Sequence, residues 1–249
     1  MSPRLVCLVV LSGLAASLTS PALANDAEQT KARALIDRAV KAMGGVEAVK
    51  KQKHILGEDR GTFYGMGQAQ PYEGRFALAL PTRWRMEIVD VFTMVIDGDK
   101  GWMVVQGATI PLEAAAVKEQ QLQSQSGYVS TLVPLLKPDK QYRLTSFGTD
   151  TIDGEECDGI NVDRDGYRQV TLMFSRKTGL LKKVTSIVRD DQTGKEVADE
   201  SIYSDYRKIG DLLAAHKVVI FRDGKKYVES ETTKLEFPEK LDDALFKQE

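Results

Sequence analysis

Residues that commonly carry out chemistry are few in this chain, and they do not cluster. The chain has two histidines, His54 and His216, and two cysteines, Cys7 and Cys157, so no His/Cys group has the spacing of a zinc site. Acidic neighbours on both sides of Cys157 raise the pKa of a thiol and disfavour a nucleophilic thiolate. We therefore expect Cys157 to be a half-buried strand residue and His216 to be a strand histidine at the sheet surface.

One segment and two carboxylate pairs resemble functional motifs without completing them. Residues 161–166 read NVDRDG and copy the first half of a calcium-binding loop, but the position for the bidentate glutamate is Leu172, so we predict a hairpin turn there. The pairs Asp190-Asp191 and Asp242-Asp243 fall in an expected turn and near the chain end, where solvation is the default. There is no nucleophile elbow, phosphate loop or dinucleotide fingerprint. The sequence therefore predicts no catalytic residue, no metal and no cofactor.

The sequence does supply large apolar side chains at alternating positions. Methionine and aromatic residues together suit an adaptable, apolar cavity, although for any single residue an ordinary core is the alternative. We predict that strand residues line such a cavity and that two residues of a helical insert form its lid. The predicted lining residues are Phe76, Trp84, Met86, Phe92, Met94 and Trp102, and the predicted lid residues are Tyr128 and Leu132.

Helical periodicity occurs in two parts of the chain. Residues 28–43 repeat apolar side chains at the three-four spacing of an amphipathic helix, which Gly44 and Gly45 should end. A short helical turn is expected at residues 46–51. Residues 112–136 are rich in Ala, Glu and Gln and predict a helix or helix pair inserted between strands.

From residue 53 onward the period is two outside that insert, which predicts half-buried strands with one wet face. We count about eleven strands. Asp-Gly and Thr-Gly pairs separate them and predict antiparallel hairpins in a meander. These pairs begin at Asp97, Asp153, Asp158, Asp165, Thr178, Thr193 and Asp223.

The order of elements predicts a mainly β fold with covering helices, of the α+β class. A long meander has exposed edges unless it curls, so we expect a curled, incomplete antiparallel β-barrel of about eleven strands. The N-terminal helix and the helical insert would cover its concave side and leave a hydrophobic cavity. No internal repeat or low-complexity linker interrupts the pattern, which favours a single domain over residues 25–249.

The N-terminus has the pattern of a cleavable signal peptide. Arg4 precedes an apolar stretch at residues 5–18, and a small-x-small site ends at Ala24, so we predict a signal peptide at residues 1–24 with cleavage after Ala24. The apolar stretch is shorter than the ~20 residues of a membrane span, and no later segment reaches that length. With 34 basic and 36 acidic residues and a net charge of -2, no basic patch indicates nucleic-acid binding.

Several short segments, in their order and spacing, resemble the LolA-like family of periplasmic outer-membrane lipoprotein-sorting proteins, in the broad sense rather than the dedicated lipoprotein carrier. The resemblance spans nearly all of residues 25–249. It implies a periplasmic location, a half-barrel with helices over a hydrophobic cavity, and lipid or lipoprotein acyl chains as ligands. Envelope membrane proteins that load or unload the cargo are the partners it implies. The segments are AMGGVE (42–47), DGDKGW (97–102), PLL (134–136), KTGLL (177–181), YSDY (203–206), FRDGK (221–225) and LDDALF (241–246).

The leading hypothesis is a non-enzymatic, exported carrier or sensor for a hydrophobic ligand. Each buried methylene contributes ~0.8 kcal/mol, so a lidded apolar cavity can compete with a membrane for an acyl chain. The first alternative is an envelope protein-interaction module whose cavity is filled by its own side chains. The second is a cofactor-free enzyme on the same fold, which requires buried polar groups that converge in the cavity.

Overall fold

The computed structural model describes residues 21–190 and 193–248. Most of the predicted signal peptide therefore lies outside the described residues. No helix within these two ranges is long and apolar enough to cross a membrane.

Three α-helices occur in the described chain, and they match the predicted helical regions. They are α1 Pro21–Ala42, α2 Val46–Lys50 and α3 Ala114–Ser130. Gly44 ends the first helical segment at φ +114°, and a Cβ there would lie 2.0 Å from the carbonyl oxygen of Asp211. Only glycine satisfies both conditions. The close approach joins the end of α1 to a strand hairpin, where Leu213 N–H also donates to the Met43 carbonyl (2.9 Å).

The described residues form one antiparallel sheet of thirteen strands, two more than the sequence predicts. The shortest strand, β6, was hard to predict because all four of its residues are exposed, so it has no alternation of burial. The strands are β1 His54–Phe63, β2 Gln70–Ala79, β3 Arg83–Ile88, β4 Phe92–Asp97, β5 Lys100–Val105, β6 Ala108–Pro111, β7 Arg143–Ile152, β8 Glu155–Asp163, β9 Val170–Ser175, β10 Leu181–Arg189, β11 Glu196–Ile209, β12 Leu212–Arg222 and β13 Lys225–Glu236.

Two meanders make up the sheet and meet at its centre. The strand order is β6-β5-β4-β3-β2-β1-β13-β12-β11-β10-β9-β8-β7, so β1 pairs with β13 and the two edges are β6 and β7. Because α3 follows β6 and precedes β7, it must cross from one edge of the sheet to the other. The predicted fold class, an open and curled antiparallel sheet with covering helices, is confirmed.

Six of the seven predicted glycine turns have the left-handed glycine that such turns require. The prediction of a turn at Asp158-Gly159 is wrong, because both residues lie inside β8. Gly159 is there for a different reason. A Cβ at this position would lie 2.3 Å from the Met173 sulfur on the neighbouring strand, so glycine allows Met173 to pack against the backbone.

The main core lies on the face of the sheet that packs against α1 and α3, here called the concave face. Ile36 of α1 and Leu135 beyond α3 are fully buried there against Leu172 and Phe174 of β9. A second, smaller core lies on the opposite, convex face of the first meander. It is covered by a 3₁₀ turn at Asp243–Phe246, whose phenylalanine is 1% exposed.

Candidate functional site

A cavity of about 410 Å³ lies between the C-terminal end of α3 and the concave face of the sheet. Its floor is formed by β1, β2, β11, β12 and β13, and its wall includes Gly127, Ser130 and Thr131 at the end of α3. The volume is in the range of small-molecule sites. Its apolar lining includes Met43, Ile55, Phe76, Leu78, Leu80, Leu181, Leu235 and Phe237.

Larger hollows occur on the outer surface, but charged side chains line them. One of about 680 Å³ includes Arg60, Glu73, Lys217 and Glu231, and Arg60 and Glu231 form an ion pair there (3.3 Å). A surface of this kind is well solvated, and its lining is less apolar than that of the cavity beneath α3. The cavity beneath α3 is therefore the candidate site.

Two glycines on the cavity floor make room for side chains from the neighbouring strand. Gly57 pairs with Phe76, and Asp59 pairs with Gly74, across β1 and β2. A Cβ at Gly57 would lie 2.4 Å from the Phe76 ring, and one at Gly74 would lie 2.3 Å from Asp59 Oδ1. Because both glycines lack a Cβ, the Phe76 and Asp59 side chains lie across the neighbouring strand, which leaves the space above them open.

A polar cluster occupies one end of the floor. Asp59 Oδ2 accepts hydrogen bonds from Tyr72 Oη (3.0 Å) and Ser230 Oγ (2.6 Å). Burial, together with the negative charge of Asp59, raises the pKa of Tyr72, although its contact with Ser230 acts in the opposite direction. The tyrosine therefore stays protonated and donates to the Asp59 carboxyl group.

Two more tyrosines from β11 face the cavity. Tyr206 Oη donates to the Leu181 carbonyl (2.6 Å), and burial raises the pKa of Tyr206. Burial also raises the pKa of Tyr203, against hydrogen bonds with Ser130 and Ser201. Both hydroxyls are therefore neutral over the physiological range and contribute apolar ring surface to the lining.

His216 is buried, with 7% exposure, and it lines the cavity from β12. The prediction that it lies at the sheet surface is therefore wrong. The reason is the alternation along β12, which places Leu212, Ala214 and His216 on the buried face. The Nδ1 atom lies 3.0 Å from the Ala214 carbonyl oxygen. Since a carbonyl only accepts, Nδ1 carries the proton, and in that tautomer Nε2 is the acceptor.

Five of the predicted lining residues lie on the concave face, but only Phe76 lines the cavity. The register places Phe76 opposite Met86, and Met86 opposite Met94, so these three form one cross-strand row. Met86 is 36% exposed. Phe92 pairs with Ile88 farther along the same face. This row extends the apolar floor away from the cavity toward the sheet edge.

Trp84 also lies on the concave face but is covered by the helix. It packs with Ile96 and with Val117 of α3 in a small buried cluster. Its 9% exposure leaves it a structural contact between α3 and the sheet. The structure therefore places Trp84 beneath the N-terminal half of α3, beside the cavity-lining Leu78 with which it pairs, but not in the lining itself.

Trp102 does not face the cavity, so its prediction as a lining residue is wrong. It pairs with Val95 and packs with Val95 and Phe246 in the convex core. Its neighbour Met103 pairs with Met94 on the concave face. Strand β5 is apolar on both faces because the C-terminal turn covers its convex face. Alternation of apolar residues along β5 therefore could not predict which of its side chains face the helices.

The predicted lid residues Tyr128 and Leu132 belong to the main core. Leu132 is 0% exposed, and Tyr128 packs against the same cluster. Burial raises the pKa of Tyr128. The helical insert does cover the concave face, but Gly127, Ser130 and Thr131 are its residues at the cavity. A Cβ built on Gly127 would meet nothing within 4 Å.

Buried polar side chains fix α3 across the sheet. Ser124 Oγ donates to the Pro81 carbonyl (2.8 Å) on one side. On the other side, Arg168 donates two hydrogen bonds to Glu119 (2.7 and 2.9 Å), and the Arg189 backbone N–H donates a third (3.0 Å). Burial raises the pKa of Glu119, but these hydrogen bonds and that from Gln123 outweigh it and hold the pKa below its usual range. These contacts explain why α3 is rich in Glu and Gln and still packs on a core.

The other candidate motifs have structural roles. Cys157 is 0% exposed in β8, more deeply buried than expected, and burial followed by the charge of Glu155 raises its thiol pKa. The NVDRDG segment continues from β8 into the turn before β9, and Arg164 of this turn donates to Gln141 and Gln125 (both 3.1 Å). Within the described part of the chain, no group of three or more His, Cys, Asp or Glu side chains is placed to hold a metal ion.

Sequence reasoning missed most of the cavity floor. Asp59, Tyr203, Tyr206, His216 and Ser230 come from strands of both meanders, and only the β1–β13 pairing brings them together. One signal was present in the sequence. His216 alternates with Val218 and Ile220, so it shares their face of β12, and that apolar face is the one that packs inward.

No protein-family model and no curated protein sequence matches the chain. Solved structures do match it. A domain named as an outer membrane lipoprotein-sorting protein domain from Vibrio parahaemolyticus has a TM-score of 0.54 and 13% identity, over 87% of this chain and 96% of that one. A LolA superfamily protein from Nitrosomonas europaea has a TM-score of 0.56 and 10% identity, over 87% and 97%.

A DUF1329 family protein from Desulfovibrio piger gives a third match, with a TM-score of 0.55 and 13% identity over 87% of this chain and 97% of that one. Each match covers nearly the whole of the other protein. The chain therefore has a LolA-like fold, as the resemblance in its sequence predicts.

Proposed function

We propose that this protein is an exported, single-domain carrier or sensor that binds a hydrophobic ligand in the cavity beneath α3. The ligand class is a lipid or the acyl chains of a lipoprotein. The observation that supports this most is an open cavity of about 410 Å³ on a face that otherwise forms a packed core. Protein interiors rarely leave such space unfilled without a use for it.

The lining gives an acyl chain favourable contacts. Phe76, Leu235 and Phe237 approach from the sheet side, and Met43 approaches from the end of α1. Burial of each methylene contributes ~0.8 kcal/mol, so ten to twelve buried methylenes would contribute about 8–10 kcal/mol before the entropy cost of ordering the chain. Binding of this kind is reversible, as a carrier requires.

The comparisons support this proposal through the fold. One similar domain is named for outer membrane lipoprotein sorting, and another is named as a LolA superfamily protein. The signal-peptide pattern at residues 1–24 supports release into the periplasm, where envelope membrane proteins could load and unload the ligand.

A cofactor-free enzyme is a second candidate because His216 and Asp59 both line the cavity. Nucleophilic catalysis needs a nucleophile hydrogen-bonded to a base, with a third group to orient that base. Here the Ser230 hydroxyl donates its hydrogen bond to Asp59 and not to a histidine. The His216 nitrogen that an orienting carboxylate would contact, Nδ1, lies against the Ala214 carbonyl instead. No hydrogen bond joins His216 to a serine, cysteine or carboxylate side chain among the described residues, so binding is the better-supported function. Recovery of an ester ligand unchanged after incubation would support binding, and its cleavage would support the enzyme.

Titration with a fluorescent acyl-chain probe tests the proposed function. We expect saturable binding of one probe per protein in the micromolar range, which corresponds to about 7–8 kcal/mol. An unlabelled monoacylglycerol should displace the probe. Absence of saturable binding, in protein that also carries no lipid after purification, would contradict the proposal.

A further inference from the structure

A polar strip crosses the floor of the otherwise apolar cavity. It consists of Asp59 on β1, Ser230 and Thr232 on β13, and His216 on β12, and all four line the cavity. Asp59 pairs with Thr232, and Val218, two residues from His216 on the same face, pairs with Ser230. The four side chains therefore belong to three adjacent strands.

His216 presents an unused acceptor to this strip. Its ring is more than nine-tenths buried, and Nδ1 is engaged by the Ala214 carbonyl. Among the described residues, no donor reaches Nε2. Nε2 is not among the fully buried side-chain atoms of the described residues that lack a hydrogen-bond partner, so it is accessible from the cavity that His216 lines. A ligand that donates a hydrogen bond can therefore reach it.

Asp59 presents a second acceptor. Its Oδ2 atom receives hydrogen bonds from Tyr72 and Ser230, while no hydrogen bond from the described residues reaches Oδ1. A carboxylate has room for about four hydrogen bonds. Oδ1 is therefore free to accept from a ligand.

The charges around the strip disfavour an anionic head group. Tyr72, Tyr203 and Tyr206 are held neutral by burial. Lys217 also contributes to the cavity lining, one residue from His216, and its charge acts on Glu231 and Asp205. Asp205 lies within electrostatic reach of His216 as well. The carboxylates of Asp59, in the lining, and of Asp205, beside His216, would repel an anionic head group.

We propose that the cavity selects an amphiphile whose head group is uncharged and donates hydrogen bonds, such as the hydroxyls of a monoacylglycerol. His216 Nε2 and Asp59 Oδ1 accept from the head group, and the acyl chain lies over Phe76 and Leu235. This proposal rests on the proposed function, since it specifies the ligand class for the same cavity.

Competition with three ligands of equal chain length tests the selection. The ligands are a monoacylglycerol, the methyl ester of the same fatty acid and the free fatty acid at pH 7.5, and each displaces the fluorescent acyl probe. We expect the monoacylglycerol to bind about 10-fold more tightly than the methyl ester, because one well-placed hydrogen bond to a buried acceptor has about that effect. The free fatty acid should bind more weakly than the monoacylglycerol by a similar or larger factor.

Two variants assign the preference to its residues. His216→Leu should reduce the preference for the hydroxyl ligand over the methyl ester to about 2-fold or less. Asp59→Asn should reduce the discrimination against the free fatty acid. The matched controls are His54→Leu at the start of β1 and Asp153→Asn in the β7–β8 turn, neither of which lines the cavity. His216→Phe serves as a second variant if the leucine variant does not fold.

The outcomes separate this inference from the proposed function. Equal binding of all three ligands, or tightest binding of the fatty acid, would overturn the head-group selection and leave hydrophobic binding intact. Retention of the full preference in folded His216→Leu and Asp59→Asn would also overturn it. Failure of every ligand to displace the probe would reject the cavity as the binding site.

Discussion

Replacement of Gly127 by phenylalanine should weaken the binding of acyl ligands at least about 100-fold while the protein stays folded. Gly127 lines the cavity, and its position has no heavy atom within 4 Å of a Cβ. A benzyl group at this position of the cavity wall would therefore meet no steric overlap at its first atom, and we expect it to occupy part of the cavity. Displacing three or four methylenes of the ligand removes about 2.5–3 kcal/mol, which corresponds to the stated factor.

Folding should tolerate this substitution because Gly127 lies within the helical residues Ala114–Ser130. Glycine is the least favourable residue after proline inside a helix, and its replacement gains a few tenths of a kcal/mol or more. Thermal unfolding should therefore show a midpoint equal to or above that of the original protein. The matched control is Gly127→Ala, which adds the Cβ alone and should keep the binding affinity. Full affinity in a folded Gly127→Phe variant would mean that the ligand binds elsewhere.

Replacement of Glu119 by glutamine should lower the free energy of unfolding by about 3 kcal/mol, because removing one partner of a buried ion pair leaves the other charge uncompensated. Glu119 is 8% exposed and accepts hydrogen bonds from Arg168, Gln123 and the Arg189 N–H. These contacts hold α3 to β9 and β10. Chemical denaturation monitored by circular dichroism measures the loss. The matched control is Glu47→Gln, whose side chain is 82% exposed, and it should change stability by less than about 0.5 kcal/mol.

The Glu119 ion pair also predicts a pH dependence with a definite sign. The pKa of Glu119 is held below its usual range in the folded protein, whereas the unfolded chain titrates near the ordinary value of about 4.3. Its contribution to stability is therefore fully present above that value and is lost as the pH falls through the folded pKa. The original protein should lose stability more steeply below about pH 4.3 than Glu119→Gln does. Parallel curves for the two proteins would show that the carboxylate is not stabilised in the fold.

Local patterns were sufficient for much of this fold. The glycine pair Gly44-Gly45 marks the end of α1 because only glycine adopts those backbone angles without strain. Asp-Gly turns such as Asp153-Gly154 and Asp223-Gly224 have the left-handed angles that two-residue hairpins require. These features depend on residues next to one another, so they can be recognised without the tertiary structure.

The cavity depends on pairings that no local pattern encodes. Trp102 and Met103 are adjacent and both apolar, and only the register with Val95 and Met94 shows which of them faces the helices. Asp59 and Ser230 are 171 positions apart in the chain, and they meet because β1 pairs with β13. Side chains that share a face of one strand could be grouped from the sequence, but the face that lies beneath α3 could not.

Photo-crosslinking gives the most direct test of where the ligand lies. A monoacylglycerol with a diazirine at the end of its acyl chain would be bound, activated by light and mapped by mass spectrometry of peptides. We expect the label on cavity residues such as Phe76, Tyr203, Tyr206 and Leu235, and its loss in Gly127→Phe. Labelling confined to the convex face, or labelling that persists unchanged in the blocked variant, would contradict a ligand site beneath α3.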